Sequence, residues 1–263
     1  MPSASDLLVE EKGLICTLTF NRPDKRNLLT PTMLLKIHEE LKRLADEGKV
    51  RCVVIRGAGD KAFSSGYDIA AIGDNDMIRD YEGDHPLIIA GKSIERFPYP
   101  VIAMINGHAF GAGLELAVTC DYRVCVEDAK LGMPPAKLGV IYTYTGIRKF
   151  LNLIGIGYTK EMFLIGNPIE ADKALNIGLV NEVKISSELE EHTYSLANEI
   201  ASNAPLAMKT MKYTINRWQT NQKLDSADEE TLKQMILEVQ SSSDYKEGQT
   251  AFAEKRKPVF KGS

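Results

Sequence analysis

The sequence predicts an α/β fold, because short apolar strand patterns alternate with amphipathic helix patterns through most of the chain. The runs CVVIRG (52–57) and VIAMING (101–107) are continuously apolar, which is typical of strands buried on both faces of a parallel sheet. Between residues 30 and 48 the apolar side chains recur at helical spacing instead. Buried parallel strands are joined by crossovers, so we expect a largely parallel sheet.

The first elements follow from local signals. LICTLTF (14–20) is rich in β-branched and aromatic residues, and the turn residues of NRPDKRN (21–27) end that strand. Thr30 and Pro31 then predict the start of a helix, as its N-cap and its first helical residue. Gly48 predicts the end of the same helix, because glycine commonly follows the last turn.

Two more strands are predicted downstream, at DYRVCV (121–126) and GLVNEV (178–183). A helix is predicted to begin near Gly113, between the strand at 101–107 and the strand at 121–126. The order strand, helix, strand predicts a crossover connection at this point.

The last part of the chain predicts helices only. Pro205 separates SSELEEHTYSLANEIASNAP from LAMKTMKYTINRWQ, and ADEETLKQMILEVQ supplies a third helix. We therefore predict an α/β core over residues 1–200 and a helical region over residues 201–263. An extended helical layer outside a core needs a surface to pack on, and we expect another subunit here.

The composition is that of an ordinary globular protein and gives no reason to expect nucleic-acid binding. The 263 residues are 44% hydrophobic and 26% charged, with a net charge of −4. The cysteines show no CxxC spacing and predict reduced core residues rather than disulfides or metal ligands: Cys16, Cys52, Cys120 and Cys125. The acidic N-terminus predicts no signal peptide and no apolar run is long enough to span a bilayer, so we expect a cytoplasmic protein without a membrane partner.

Three segments carry residues suited to chemistry: KAFSSGYDIAAI (61–72), NGHAFGAGLEL (106–116) and LGMPPAKLGVIYTYTG (131–146). A helix that starts near Gly113 would leave its first N–H groups without helical partners and its positive dipole end exposed. Such N–H groups can receive an oxyanion. Two such glycine-containing loops facing each other would form an oxyanion hole with two donors.

Each segment also has a purely structural interpretation. Glycines before a helix commonly serve packing, and Glu115 near a helix start could merely balance the helix dipole, worth ~0.3–1 kcal/mol. Tyr142, Tyr144 and His108 could pack with satisfied polar groups. On composition and spacing alone, the sequence indicates an α/β enzyme of unknown reaction.

Several motifs in order resemble the crotonase (enoyl-CoA hydratase/isomerase) superfamily along nearly the whole chain. The similar blocks are NRPDKRNLLT, FSSGYDI, VIAMINGHAFGAGLELAVTCDYRV, KLGV and NPIEADKALNIGLVNEV. The resemblance implies a crotonase-like spiral of ββα turns with a C-terminal helical trimerisation region, as a homotrimer or a dimer of trimers. It also implies acyl-CoA thioester substrates, with coenzyme A entering as part of the substrate and no metal or redox cofactor.

The resemblance assigns the thioester oxygen to two backbone N–H groups, those of Tyr67 and Ala112. The family usually has glycine at the second of these positions, but alanine retains the N–H. Glu115 matches the first of two glutamates that enoyl-CoA hydratases use. The second falls at position 135, where this chain has Pro135, so one acid–base group for hydration is missing.

Within the superfamily, the methylmalonyl-CoA decarboxylase subgroup is a closer match. PPAKLGVIYTYTGI and SSDYKEGQTAFAEKRKPVF resemble that subgroup, in which the tyrosine that matches Tyr142 holds the leaving carboxylate. The subgroup has histidine where this chain has Tyr67, which leaves the acyl group open. Decarboxylation of a malonyl-type thioester needs no base, so Glu115 would order a water or help to reprotonate the enolate.

Coenzyme A requires positive charge and a surface for its adenine ring. We expect eight residues to bind it, and the family resemblance implies that the last three come from a neighbouring subunit: Lys25, Arg26, Ser65, Gly66, Asp68, Phe252, Lys255 and Lys257. A solvated basic tail is the structural alternative for the C-terminal lysines. The polar stretch 73–95 is expected to form a mobile lid over the acyl group.

Three functions remain open at this point. The first is decarboxylation of a malonyl- or methylmalonyl-type CoA thioester through an enolate held in the oxyanion hole. The second is hydration or isomerisation of an unusual acyl-CoA with Glu115 alone. The third is a non-catalytic scaffold or an RNA-binding member of the fold, against which the net acidic charge and the intact Glu115 argue.

Overall fold

The computed structural model describes residues 5–68, 85–220 and 226–261. In these residues the strands form two sheets, with helices between them. The strands of these residues are β1 (Leu7–Lys12), β2 (Ile15–Phe20), β3 (Cys52–Gly57), β4 (Ala62–Ser64), β5 (Val101–Ile105), β6 (His108–Phe110), β7 (Tyr122–Val126), β8 (Lys130–Gly132), β9 (Ile169–Glu170) and β10 (Glu182–Lys184). The α-helices are α1 (Pro31–Glu47), α2 (Pro86–Arg96), α3 (Ala112–Thr119), α4 (Tyr144–Lys160), α5 (Ala171–Asn176), α6 (Ser186–Ser202), α7 (Pro205–Thr220), α8 (Ser226–Ser241) and α9 (Ser243–Ala253).

The larger sheet of the described residues has six strands in the order β1-β2-β3-β5-β7-β10, and the smaller has four in the order β4-β6-β8-β9. The inner strands of both sheets are parallel, whereas β1 and β9 join their sheets antiparallel. Successive turns in the middle of the chain each give one strand to each sheet and end in a helix: β3, β4 and α2, then β5, β6 and α3. This is the spiral of ββα turns that the sequence resemblance implies.

Helix α1 lies where the sequence predicts it. The Thr30 side chain accepts a hydrogen bond from the Met33 N–H at 3.1 Å, Pro31 opens the helix, and Gly48 follows it at φ 66°. Its apolar stripe belongs to the main core: Met33, Leu34, Ile37, Leu41 and Leu44. Burial of each such side chain stabilises the fold by ~1.5–3 kcal/mol.

Some strands differ from the prediction. The strand predicted at 178–183 begins only at Glu182, because the buried Leu179 and Val180 lie in the turn that precedes it. Strand β1 and the smaller sheet were not predicted. Strands β4, β6 and β8 have 3 residues each and β9 has 2, which is too short to display an alternating pattern.

Helix α4 (Tyr144–Lys160) was also not predicted from the sequence. Thr143 caps this helix by accepting a hydrogen bond from the Gly146 N–H at 3.2 Å, and α4 therefore begins at Tyr144. The glycines of this segment obscured the capping signal in the sequence.

The prediction of a mobile lid at 73–95 is wrong for residues 86–95. From Pro86 onward this stretch forms α2, which packs between α1 and α3. Its core-facing residues are Ala90, Gly91 and Ile94. A helix packed between two others is part of the core and cannot act as a mobile cover. The first part of the predicted lid, up to residue 84, lies outside the described residues.

The C-terminal helices begin on the core and end on the surface. Helix α6 packs on β3, β5 and β7. Lys212 anchors α7, because its ammonium donates to the Tyr99 carbonyl at 2.9 Å and pairs with Asp121 at 2.6 Å. Helix α7 leaves large apolar side chains exposed: Leu206, Met211, Tyr213, Ile215 and Trp218. The domain boundary at residue 200 and the oligomer both stay predictions.

Candidate active site

The N-terminus of α3 leaves backbone N–H groups without helical partners. Gly111 precedes the helix at φ 51° and ψ −125°, a conformation that favours glycine. The Glu115 N–H is the first to reach an intrahelical carbonyl, that of Gly111, at 2.9 Å. The N–H groups of Ala112, Gly113 and Leu114 therefore have no acceptor inside the helix. Every residue of α3 is buried, so this positive helix end lies inside the protein.

The loop after β4 lies against this helix end. Tyr67 forms an isolated parallel bridge with Leu29. The hydrogen bonds of this bridge are made by the residues on either side of Tyr67. The Leu29 N–H donates to the Gly66 carbonyl, and the Leu29 carbonyl accepts from the Asp68 N–H. The Tyr67 N–H therefore points away from Leu29. A methyl group placed on Gly66 would lie 3.8 Å from the Ala112 nitrogen, so the two predicted loops are neighbours.

The turn after β2 fixes the position of that loop. Arg26 and Asn27 both have positive φ, 51° and 55°, which is unfavourable for arginine and tolerated by asparagine. The Arg26 carbonyl accepts a hydrogen bond from the Ser65 N–H at 3.0 Å, and Arg22 pairs with Asp68 at 2.9 Å. Arg26 and Ser65 thus act through their backbone and Asp68 through its ion pair, while their contact with coenzyme A stays a prediction.

Glu115 and Tyr142 come together beside the start of α3. A methyl group placed on Gly146 would lie 3.3 Å from both Glu115 Oε1 and Tyr142 Cδ1. A methyl group placed on Gly111 would lie 3.4 Å from the Tyr142 hydroxyl oxygen. The Tyr142 ring therefore extends from the start of α3 to Gly146, which the Glu115 carboxylate also approaches. Its T-shaped contact with Phe163, at 5.5 Å between ring centroids, supports this orientation.

Glu115 has a cationic partner that the sequence analysis missed. The Glu115 side chain is 7% exposed, and its Oε1 lies 3.3 Å from Nζ of Lys149, whose side chain is 15% exposed. Lys149 lies on α4, about one turn after Gly146. Had this helix been predicted, the spacing would have put Lys149 on the same helix face as Gly146. A buried carboxylate is costly without a partner, and Lys149 compensates its charge.

His85 is a second residue near the site to which the sequence analysis gave no role. It caps α2, because its Nδ1 accepts a hydrogen bond from the Leu87 N–H at 3.2 Å. Its ring lies 5.1 Å from the Tyr67 ring at an angle of 34°. His85 therefore packs beside the Tyr67 side chain. Its place directly before Pro86 was the sequence signal, since such residues often cap helices.

Pro135 is buried and opens a short 3₁₀ helix, Pro135–Leu138. Its carbonyl accepts a hydrogen bond from the Val140 N–H at 3.0 Å, which closes the turn that leads towards Tyr142. Helix α9 packs on this segment so closely that a Cβ on Gly248 would overlap the Leu138 carbonyl. The proline ring supplies no acid at this position, as the sequence indicates.

The remaining residues predicted to bind coenzyme A lie on the surface. Lys25 is exposed in the turn after β2, and Phe252 and Lys255 are exposed around the end of α9, with Phe252 at 59%. Arg256 fixes this end of the chain, because its guanidinium donates to both oxygens of Glu247 and lowers the pKa of that carboxyl to about 2. Binding of coenzyme A by Lys25, and by Phe252 and Lys255 from a neighbouring subunit, stays a prediction.

The cysteines are free and buried, as the sequence predicts. Burial raises the pKa of all four thiols to about 12, so they are neutral near pH 7 and poor nucleophiles. In the part of the chain that the structure describes, no three His, Cys, Asp or Glu side chains are grouped to hold a metal ion. Within the same residues, no helix is both long and apolar enough to span a bilayer.

A ββα spiral with a buried helix end beside a glycine-containing loop defines a class of enzyme folds rather than a single reaction. Comparison with protein families identifies the class. Residues 10–263 match the family model described as enoyl-CoA hydratase/isomerase, so the chain belongs to this family, the crotonase superfamily that its motifs resemble.

Individual relatives include both hydratases and a decarboxylase. The short-chain-enoyl-CoA hydratase of Clostridium acetobutylicum is 35% identical over 260 residues, which cover 96% of each chain. A solved structure of methylmalonyl-CoA decarboxylase with 2-nitronate-propionyl-CoA matches with a TM-score of 0.93 at 30% identity, over 99% of this chain and 100% of that one. An enoyl-CoA hydratase/isomerase structure from Pseudoalteromonas atlantica T6c matches with a TM-score of 0.84 at 25% identity, over 98% and 100%.

Proposed function

We propose that this chain decarboxylates a malonyl- or methylmalonyl-type CoA thioester. The observation that carries the proposal is the position of the Tyr142 hydroxyl, which lies against Gly111 at the start of α3. A thioester oxygen held by the Ala112 N–H would bring the α-carbon and its carboxylate close to that hydroxyl. The tyrosine can then hold the carboxylate by a hydrogen bond, out of the thioester plane.

The reaction needs little from the protein beyond orientation and an oxyanion hole. The bond between the α-carbon and the carboxylate breaks, carbon dioxide leaves, and the electron pair forms the enolate of the thioester. The N–H groups of Tyr67 and Ala112 would stabilise the enolate oxygen, and removal of one such donor typically costs ~2.7–4 kcal/mol. A proton from a water ordered by Glu115 then completes the α-carbon.

Tyrosine suits this step better than a cation in contact with the carboxylate. An arginine or lysine there would stabilise the carboxylate of the ground state more than the departing carbon dioxide, which raises the barrier. The neutral hydroxyl orients the group without that penalty. Pro135 in place of a second glutamate also removes one negative charge that would repel the substrate.

The structural comparisons support this choice over hydration. The decarboxylase structure matches the whole chain with a TM-score of 0.93, compared with 0.84 for the hydratase/isomerase from Pseudoalteromonas atlantica. The proposal needs no metal or redox cofactor, since coenzyme A arrives with the substrate. A homotrimer or a dimer of trimers in the cytoplasm remains part of the proposal.

Hydration of an enoyl-CoA with Glu115 alone is the second candidate. The hydratase of Clostridium acetobutylicum, at 35% identity, favours it. So does the buried Glu115 carboxylate, which can position a water. This route lacks a second acid–base group at Pro135, whereas decarboxylation needs none there.

Separate incubations of the purified protein with methylmalonyl-CoA, malonyl-CoA and crotonyl-CoA test the proposal, with the thioester masses followed by mass spectrometry. We expect a malonyl-type thioester to lose the mass of carbon dioxide at a rate proportional to the protein concentration. Addition of the mass of water to crotonyl-CoA, with both malonyl-type thioesters intact, would contradict the proposal and support the second candidate.

A further inference from the structure

Lys149, the ion-pair partner of Glu115, has no role in the proposed reaction itself. The two side chains of the pair are 7% and 15% exposed, and Nζ and Oε1 lie 3.3 Å apart. The pair joins α3 to α4, and a methyl group placed on Gly91 of α2 would lie 3.1 Å from the same ammonium nitrogen. The cation is therefore enclosed by three helices, beside the carboxylate at the candidate site.

This position brings the pair next to the residues that would hold the acyl group. Glu115 Oε1 and the Tyr142 ring both lie 3.3 Å from the position that a methyl group on Gly146 would take. The Tyr142 hydroxyl lies beside Gly111, one helical turn before Glu115, so a substrate carboxylate held by that hydroxyl would lie on the same face of α3 as the Glu115 carboxylate. Two like charges a few ångströms apart repel strongly where water is excluded.

We propose that Lys149 determines the specificity of the site for an acyl group that carries its own carboxylate, by neutralising Glu115. The inference rests on the proposed function, because it explains how an anionic acyl group is accepted. Pro135 leaves one carboxylate out of the site, and Lys149 balances the one that remains. Lys149 acts through Glu115 and is a positioning residue.

Binding of two unreactive ligands tests this inference without turnover. The first, 2-carboxypropyl-CoA, is a thioether that carries a carboxylate but lacks the carbonyl needed for enolate formation. The second, isobutyl-CoA, has a methyl group in place of that carboxylate. Dissociation constants for both, measured by isothermal titration calorimetry on the full chain, report the preference for a charged acyl group directly.

We expect the wild-type protein to bind the carboxylate ligand at least as tightly as the neutral one. Lys149→Met should raise the dissociation constant of the carboxylate ligand at least about tenfold and that of the neutral ligand less than about threefold, because it leaves the Glu115 charge without its partner. Lys149→Arg should keep the wild-type preference. The double variant Lys149→Met with Glu115→Gln should restore it to within about threefold, because both charges are removed together.

A purely structural role for Lys149 would give other results. Equal weakening of both ligands in Lys149→Met, or no recovery in the double variant, would overturn the inference. So would a wild-type protein that already binds the neutral ligand tenfold more tightly. If Lys149→Met does not fold, Lys149→Gln provides the same comparison with a polar side chain of similar shape.

The two proposals fail separately. A protein with the expected ligand preference but no loss of carbon dioxide from any malonyl-type thioester would contradict the proposed function and leave the role of Lys149 intact. A decarboxylase whose ligand preference does not respond to Lys149→Met would contradict the role of Lys149 alone.

Discussion

The two sides of the candidate site are built by different means. The amide side comprises residues 64–68 and 111–113, where the backbone N–H groups would do the chemistry and the side chains serve packing. The carboxylate side depends on side-chain type at every position: Glu115, Pro135, Tyr142 and Lys149.

This difference explains what each side tolerates. Every residue except proline has a backbone N–H, so alanine at 112 and tyrosine at 67 keep the proposed oxyanion hole. What the amide side cannot accept is a change in backbone position. On the carboxylate side, one substitution changes the chemistry while the fold stays the same. Relatives with different reactions are therefore expected to share the first side and differ in the second.

The largest effect should come from Gly113→Ala on the amide side. A Cβ there would lie 2.6 Å from Ser64 Cβ and 2.7 Å from the Ser64 carbonyl oxygen, so the start of α3 or strand β4 must shift. We expect kcat/KM for decarboxylation to fall at least about a hundredfold, with a loss of ~1–3 kcal/mol in the free energy of unfolding. Steady-state kinetics and urea unfolding measure the two effects.

Gly157→Ala is the matched control, because a Cβ on Gly157 of α4 would meet no atom within 4 Å. It should leave activity unchanged and alter the free energy of unfolding only slightly. An active Gly113→Ala protein would mean that the proposed oxyanion hole does not depend on this close approach.

Tyr142→Phe tests the carboxylate side. We expect kcat for decarboxylation to fall about tenfold or more, equivalent to ~1.4 kcal/mol, because the carboxylate loses its orienting hydrogen bond. The dissociation constant for isobutyl-CoA should change little, since that ligand carries no carboxylate. Tyr158→Phe, at a position 43% exposed on α4, is the control. An unchanged rate in Tyr142→Phe would remove the role of the hydroxyl.

Pro135→Glu should change the reaction rather than abolish it. A glutamate at this position restores the second acid–base group of a hydratase, so we expect the variant to hydrate crotonyl-CoA. The loss of enoyl absorbance measures this hydration. Pro134→Glu places the same charge one residue earlier and should give no such gain. If Pro135→Glu gains no hydration either, the missing acid is not what limits that reaction.

The smallest effect is expected for thiol reagents. Cys120 follows α3, the helix that carries parts of both sides, and burial raises the pKa of its thiol to about 12. At pH 8 we expect no reaction of any cysteine with a disulfide reagent in the folded protein and no loss of activity. All four cysteines should react in urea. Fast labelling of the folded protein would contradict the buried, neutral state of these thiols.

Local signals made part of the fold predictable. Thr30, Pro31 and Gly48 mark the ends of α1 so strongly that the prediction and the structure agree. The start of α3 near Gly113 was also predictable, because a run of small residues passes directly into an apolar helical pattern. Strands of two or three residues carry no period, so the smaller sheet could not be found from the sequence.

The site was only partly predictable, because one of its contacts depends on how two helices pack. Motifs in the sequence identified four site residues that the structure brings together: Tyr67, Ala112, Glu115 and Tyr142. Their roles stay predictions. Lys149 was missed because α4 was not predicted, and the pairing of residues 34 positions apart depends on the packing of α3 on α4.

The central claim is that the site breaks a carbon–carbon bond through an enolate and does not add water to an alkene. One incubation in heavy water with equal concentrations of methylmalonyl-CoA and crotonyl-CoA, analysed by mass spectrometry, tests it directly. The account predicts propionyl-CoA that carries deuterium at the α-carbon, with crotonyl-CoA unchanged. Formation of 3-hydroxybutyryl-CoA while methylmalonyl-CoA remains intact would contradict it.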